Sequence, residues 1–158
     1  MTHLAMTDHG TVAGHREFQR AAKDAGIVGI LGLEAYSADD IDDRRTNDKR
    51  QDGTKTYNHI TLLAQNETGL TNLYQLSERA WKEGYYYKPR MAHTDICANN
   101  EGIFALSGCL GGSLCQAIER GDMGYANAHI RQYKEAFGDR YYIEVMSSNP
   151  VEMNLALL

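Results

Sequence analysis

The sequence lacks the features that assign many proteins to a class at first sight. It has three cysteines, Cys97, Cys109 and Cys115. Their odd number and unpaired spacing argue against a disulfide framework and favour a reducing compartment. No window approaches the run of about 18 apolar residues typical of a transmembrane helix. The first residues, MTHLAMTDHG, have neither the basic start nor the apolar core of a signal peptide. We therefore expect a cytoplasmic protein without a membrane partner.

The sequence also has no excess of basic over acidic residues. The chain has 16 Lys and Arg against 21 Asp and Glu, which gives a net charge of −5 at pH 7. A protein that binds nucleic acid through its general surface is usually basic. Contact with DNA is therefore expected only at a local site, or where a metal ion supplies the positive charge. The 158 residues, 42% of them hydrophobic, suffice for one domain with a core.

Apolar runs alternate with amphipathic segments along the chain, which predicts strands alternating with helices. Thr11 is the expected N-terminal cap of the first helix. This alternation favours an α/β fold with a mostly parallel sheet, in an order that forms part of a barrel without closing one. The predicted strands cover 3–7, 27–37, 57–66, 103–109 and 140–146, and the predicted helices cover 11–26, 67–84, 112–121, 122–139 and 150–158.

Residues 38–56, ADDIDDRRTNDKRQDGTKT, are dense in charge and nearly free of apolar side chains. This composition predicts an exposed charged loop between two strands. The sequence shows no internal repeat and no second domain, so we treat the loop as an insertion within one domain.

Several side chains able to bind a metal lie where predicted strands end. Asp8 and His9 follow the first apolar run, Glu34 lies in the second, and Cys109 follows IFALSG. In parallel α/β folds, functional groups gather at the carboxyl ends of strands. Imidazole, carboxylate and thiolate together suit zinc, or manganese where oxygen ligands dominate. His59 lies near the start of its run, so this rule does not select it.

Each of these residues also has an ordinary structural explanation. A Glu at a strand end is more often a solvated or paired carboxylate, and a Cys after an apolar strand is more often a small buried hydrophobe. We interpret Cys97 and Cys115 in the second way. The positions of these residues in the sequence therefore do not decide whether they form a metal site.

The stretch EGYYYKPRM, residues 83–91, combines three tyrosines with Lys88, Pro89 and Arg90. A functional interpretation is an aromatic platform whose cations bind phosphate and whose rings stack on a base. A structural interpretation is a helix-to-loop transition with packed tyrosines and solvated cations. Spacing alone favours the structural interpretation.

Six stretches taken together resemble the PHP (polymerase and histidinol phosphatase) domain family. The resemblance runs from about residue 3 to the end of the chain. The YYKPR stretch and the SGCL turn are similar to the branch found at the N-terminus of bacterial replicative DNA polymerase III alpha subunits, not to the small-molecule phosphatases. The six stretches are MTDHGTVAGHREF, GILGLEAY, YNHITLLAQNETGLTNLYQLS, EGYYYKPRM, EGIFALSGCLGG and YKEAFGDRYYIEVM.

The resemblance implies part of a distorted (β/α)7 barrel with metal ligands at one mouth. His9, Glu34, His59 and Cys109 match ligand positions for divalent ions such as zinc, manganese or magnesium. Asp8 borders this site and is expected to take part in catalysis by orienting His9.

The family's first His-x-His motif and the Asp after it would precede residue 1, and its last Asp and His would follow Leu158. We therefore expect residues 1–158 to be a PHP domain incomplete at both ends, with little or no hydrolytic activity alone. A barrel without its outer strands exposes sheet edges, which favour aggregation or capture of a partner.

The resemblance implies a role in DNA replication, with a metal-dependent phosphoesterase site that proofreads a DNA 3′ end. DNA and the remaining polymerase domains are the expected partners, and Lys88 and Arg90 are the expected phosphate contacts. An alternative is a non-catalytic scaffold that docks a separate proofreading exonuclease. A phosphatase of small esters is the third hypothesis, disfavoured by YYYKPR and SGCLGG.

Overall fold

A mixed β-sheet organises residues 1–44 and 55–158, the part of the chain that the computed structural model describes. Its strands are β1 (His3–Met6), β2 (Val28–Ala38), β3 (Asn58–Ala64), β4 (Tyr85–Tyr86), β5 (Lys88–Ala92), β6 (Ile103–Leu106) and β7 (Tyr141–Tyr142). The helices are α1 (His15–Asp24), α2 (Glu67–Lys82), α3 (His93–Ala98), α4 (Ser113–Glu119), α5 (Met123–Phe137) and α6 (Val151–Leu157), with a 3₁₀ turn at Gly138–Arg140.

The strands are ordered β4-β5-β2-β3-β6-β7, and β1 pairs with the first half of β2. Among the described residues, β1–β2, β2–β5 and β6–β7 are parallel, whereas β2–β3, β3–β6 and β4–β5 are antiparallel. The expectation of a mostly parallel sheet therefore fits only half of the pairings. β3 lies between β2 and β6 and runs antiparallel to both, which accounts for two of the three antiparallel pairings.

The core lies between this sheet and the helices α2 and α5. Leu33, Leu62, Leu73, Ile103 and Tyr133 have no exposed surface. Full burial of each apolar side chain of this size stabilises the fold by about 2 kcal/mol. Within the described ranges, no helix has both the length and the apolar character needed to cross a bilayer.

Helix α2 agrees closely with its prediction and shows why it begins where it does. The Asn66 side chain accepts a hydrogen bond from the Gly69 N–H at 2.9 Å and caps the first turn. A Cβ on Gly69 would lie 1.7 Å from the Gly102 carbonyl oxygen, so only glycine allows the helix to approach the segment before β6. This contact fixes α2 against the β3–β6 pair.

Two other predictions differ from the structure. Helix α1 begins at His15, with Gly14 at its cap position, and not at Thr11. Thr11 accepts a hydrogen bond from the Ala13 N–H in the preceding turn, so it orders the approach to the helix instead. The stretch EGYYYKPRM forms the β4–β5 hairpin and not a helix-to-loop transition.

The ends of the predicted 38–56 loop are partly integrated into the fold. Ala38 is the last residue of β2 and is buried, and Thr56 is buried as well, while Asp39 and Asp40 are exposed. Residues 45–54 lie outside the described residues, so the prediction of an exposed loop stays untested there.

Candidate metal centre

The antiparallel register of β2 and β3 brings Glu34 and His59 to one face of the sheet. Glu34 is opposite Thr61, and Tyr36 is opposite His59. Side chains alternate between faces along a strand, so all four lie on the same face and Glu34 is a diagonal neighbour of His59. Glu34 Oε1 lies 3.0 Å from His59 Nδ1.

Cys109 completes a group of three side chains that are able to bind a metal ion. Its Sγ lies 3.6 Å from His59 Nδ1, and one donor atom each from Glu34, His59 and Cys109 falls within 4.8 Å of the others. Carboxylate oxygen, imidazole nitrogen and thiolate sulfur are all zinc ligands. The thiolate favours zinc over magnesium, because magnesium binds oxygen ligands. The three residues are thus able to hold a divalent metal ion.

His9 lies beside this group and is held by backbone pairing with β2. The Gly10 N–H donates to the Glu34 carbonyl at 2.9 Å, and the Glu34 N–H donates to the Asp8 carbonyl at 3.1 Å. His9 Nδ1 lies 3.5 Å from Glu34 Oε1, although the His9 side chain is 61% exposed. Asp8 is exposed and contributes its main chain to this pairing. A role of its carboxylate in orienting His9 stays a prediction.

The environment of His59 favours its neutral, metal-binding form. Burial lowers the pKa of His59, and the positive charges of His9, Lys55 and Lys88 lower it further. The Glu34 carboxylate opposes these effects and raises the pKa of His59, but burial is the largest cause. The lowered pKa favours the neutral imidazole, the state in which a histidine binds a metal.

The turn that carries Cys109 packs directly on the His59 main chain. Gly108 has a φ of +84°, and a Cβ there would lie 2.6 Å from the His59 carbonyl oxygen, so the turn requires glycine. The His59 N–H donates to the Gly111 carbonyl at 3.0 Å. The Gly111 N–H donates to Cys109 Sγ at 3.3 Å, which orients the sulfur toward the site.

Sequence reasoning missed Glu144, which holds the same turn from the other side. Glu144 Oε2 accepts a hydrogen bond from the Gly108 N–H at 2.8 Å and one from Thr61 Oγ1 at 3.4 Å. The Glu144 N–H donates to Ser107 Oγ at 2.9 Å. A signal was present in the sequence, because Glu144 lies near the carboxyl end of the strand predicted over 140–146.

The two predicted phosphate contacts have different positions. Lys88 Nζ lies 5.2 Å from the ring centre of Tyr36, and that ring stacks on His9, so Lys88 is one aromatic ring away from the metal centre. Arg90 is 1% exposed, and its guanidinium donates to the carbonyls of Asp43 at 2.7 Å and Gly84 at 3.2 Å. These donors face main-chain carbonyls, and phosphate binding by Arg90 stays a prediction.

Comparison with known proteins identifies the family. Residues 1–148 match the PHP domain. The DNA polymerase III subunit alpha of Deinococcus radiodurans is 43% identical over 142 residues, which are 90% of this chain and 11% of that protein. The DNA polymerase III subunit alpha of Thermus aquaticus is 41% identical over 144 residues, which are 91% of this chain and 12% of that protein. The chain thus spans only a small part of the length of these relatives.

A solved structure shares the fold at low sequence identity. A proposed metal-dependent phosphoesterase from Bifidobacterium adolescentis superposes with a TM-score of 0.53 at 14% identity, over 99% of this chain and 71% of that one. The α/β architecture is accordingly that of a distorted PHP barrel. The chain belongs to the PHP domain family. Within that family, its sequence is similar to DNA polymerase III alpha subunits.

Proposed function

We propose that this chain is the metal-binding part of the PHP domain of a DNA polymerase III alpha subunit, and that its site acts on the phosphodiester at a DNA 3′ end. The observation that carries the proposal is the convergence of Glu34, His59 and Cys109 within 4.8 Å. The similarity to polymerase alpha subunits over about 90% of the chain supports DNA as the substrate class.

The donor set assigns roles to the residues of the chain. Glu34, His59 and Cys109 would hold the ion, with His9 beside them as a further ligand. The mixed oxygen, nitrogen and sulfur donors favour zinc, with manganese as the alternative. A bound divalent ion would act as a Lewis acid toward a phosphate oxygen and an attacking water. Lys88 would bind the neighbouring phosphate.

The proposed partners follow from this role. DNA and the remaining domains of the polymerase are the partners of the proofreading site. A separate proofreading exonuclease is the partner under the alternative hypothesis, in which the domain is a scaffold without catalysis. Metal binding separates the two hypotheses, since a scaffold does not need Glu34, His59 and Cys109 to bind an ion.

The test measures metal-dependent binding of single-stranded DNA to the 158-residue chain. We expect zinc or manganese to increase the affinity for a fluorescent dT oligonucleotide, and His59→Ala to abolish the increase. His3→Ala is the matched control, because His3 is exposed on β1 and away from the three ligands. A DNA affinity that does not respond to metal would contradict the proposal.

Nucleotide release from the DNA 3′ end is followed in the same samples. The expectation for residues 1–158 alone is little or no hydrolysis. Metal-dependent release that His59→Ala abolishes would overturn that expectation and assign catalysis to the chain itself. Tight binding of an exonuclease without any metal binding would favour the scaffold hypothesis.

A further inference from the structure

Large aromatic side chains remain exposed at the end of α2 and on the β4–β5 hairpin that follows it. Trp81 and Tyr85 are each 51% exposed, and Tyr87 is 66% exposed. The Trp81 and Tyr85 rings stack on each other with centroids 5.4 Å apart and planes 16° apart. We call these three residues the aromatic platform. Trp81 and Tyr85 form one exposed patch, and Tyr87 lies two residues further along the hairpin. A patch of exposed apolar surface marks an interaction site more often than scattered single residues do.

The platform is physically tied to the loop that carries His9. Trp81 Nε1 donates a hydrogen bond to the Gly10 carbonyl at 3.0 Å, and Gly10 directly follows His9. A Cβ on Gly10 would lie 2.7 Å from the Tyr36 ring and 2.9 Å from the Pro89 ring. The His9 loop is therefore enclosed between Tyr36 and the hairpin that carries the platform. A ligand on the platform would reach the metal centre without leaving this surface.

Tyr87 adds an unusual backbone conformation at the tip of the hairpin. Tyr86 pairs with Lys88 across the turn, so Tyr87 is its apex residue. Its φ is +58°, and within residues 1–44 and 55–158 no other non-glycine residue has a positive φ. Glycine or asparagine would adopt this conformation with less strain. The Tyr87 ring touches the Tyr86 ring edge-on, with centroids 4.7 Å apart, but is 66% exposed, so most of the ring at this strained position is open to solvent.

We propose that the aromatic platform is a stacking subsite for the bases of single-stranded DNA, next to the phosphate that Lys88 and the metal centre bind. This inference rests on the proposed function and names the part of the substrate that the hairpin holds. An unpaired strand offers flat bases joined to phosphates. The hairpin carries the exposed rings of Tyr85 and Tyr87, and its Lys88 places an ammonium group over the Tyr36 ring next to His9. The hairpin therefore offers both rings and a positive charge to such a strand.

The test uses Trp81, the single tryptophan of the chain, as a built-in reporter. The full chain is titrated with unlabelled dT tetranucleotide in the presence of a metal chelator. Stacking of a base on the platform is expected to quench Trp81 fluorescence in a saturable manner. Because metal is absent, this result is independent of the metal-dependent binding that tests the proposed function.

Variants then assign the binding to the platform. We expect Tyr85→Ala to weaken dT binding about ten-fold, in line with the loss of one stacked base. Tyr85→Phe keeps the ring and is expected to bind as the wild type does. Tyr142→Ala is the matched control, since Tyr142 is 52% exposed but lies on β7 at the opposite edge of the sheet from β4. Circular dichroism checks that each variant is folded.

Three results would overturn the inference. The first is the absence of saturable quenching by dT. The second is equal DNA affinity of the folded Tyr85→Ala and Tyr142→Ala variants. The third is a change of Trp81 emission with protein concentration but not with DNA, which would assign the platform to contact with a second copy of the chain.

Discussion

Glu34 Oε1 lies 3.0 Å from His59 Nδ1, although the two residues belong to different strands of the sheet. The β2–β3 register places them diagonally across an antiparallel pair, and the turn after β6 then adds Cys109. The site is therefore built on two central strands of the sheet, and only its third ligand comes from a turn. A site on strands is held more rigidly than one built on loops.

Replacing Glu34 should change the titration of His59. Burial lowers the pKa of His59, and the Glu34 carboxylate partly opposes this effect. Glu34→Gln removes the opposing charge, so the pKa of His59 should fall further. NMR titration of the His59 ring protons in metal-free protein measures the change. Glu67→Gln, at the exposed start of α2, is the control, and an equal effect of both substitutions would refute the electrostatic assignment.

Replacing Glu144 should weaken metal binding although Glu144 is not one of the three ligands. Its carboxylate accepts the Gly108 N–H and the Thr61 hydroxyl, so Glu144→Gln loosens the turn that carries Cys109. Loss of a partner that orients a ligand typically lowers metal affinity about 10- to 100-fold. Competition with a zinc-binding dye measures the affinity, with exposed Glu152→Gln as control. Unchanged zinc affinity in Glu144→Gln would show that the turn does not need this carboxylate.

Acid should destabilise the fold through a pair of buried histidines. His93 bonds Tyr133 at 2.7 Å and Ser113 at 3.2 Å, and the His129 ring packs against it. Burial lowers the pKa of His93 to about 4 against the opposing charge of Asp39, and burial together with His93 lowers the pKa of His129 to about 3. An unfolded histidine titrates near 6.5. Below pH 6.5 the unfolded chain therefore binds protons that the folded chain does not.

It follows that the free energy of unfolding is fully retained above pH 6.5 and falls as the pH drops toward 4. Each histidine should cost about 2 kcal/mol between pH 6.5 and pH 5. Urea unfolding at several pH values measures this. His93→Gln should flatten the profile, whereas His3→Gln, at an exposed histidine, should not. Parallel profiles of wild type and His93→Gln would exclude His93 as a source of the acid sensitivity.

Arg90 should contribute to stability and not to phosphate binding. Arg90→Met leaves the carbonyls of Asp43 and Ile41 without the buried guanidinium donor, which should lower the free energy of unfolding by about 2–4 kcal/mol. Lys88→Met, two residues away, should change stability by about 0.5 kcal/mol at most while weakening DNA binding. Urea unfolding and DNA titration of the two variants give the comparison. The reverse pattern would return Arg90 to the phosphate-binding role.

The sequence predicted the elements with a clear hydrophobic period and missed those that depend on distant contacts. Helix α2 and strand β3 agree with their patterns because one face of each is apolar, and β2 agrees because its apolar run is buried on both faces of the sheet. The β4–β5 hairpin escaped detection because its aromatic run has no alternation, and its tip depends on the unusual backbone of Tyr87. The start of α1 was placed too early because Thr11 caps a turn instead of the helix.

The residues of the candidate site were likewise predicted only in part from the sequence. The expectation that functional side chains gather at the carboxyl ends of strands selected Glu34 and Cys109. Applied to the last predicted strand, it would also have selected Glu144. Only the family resemblance selected His59, because its position depends on pairing with β2. The burial of Arg90 could not be predicted, because it depends on carbonyls of residues 41 and 43, far away in the sequence.

Cobalt binding tests the central claim, that Glu34, His59 and Cys109 together bind a divalent metal ion. Burial raises the pKa of the Cys97 thiol to about 11, so Cys97 is a poor thiolate ligand and Cys97→Ser is a matched control. Wild type and Cys97→Ser should bind Co²⁺ with the ultraviolet charge-transfer absorption of a cobalt–thiolate bond. Cys109→Ser should lose that absorption, and His59→Ala should bind Co²⁺ more weakly. A wild type that binds no Co²⁺, or an absorption that survives in Cys109→Ser, would contradict the account.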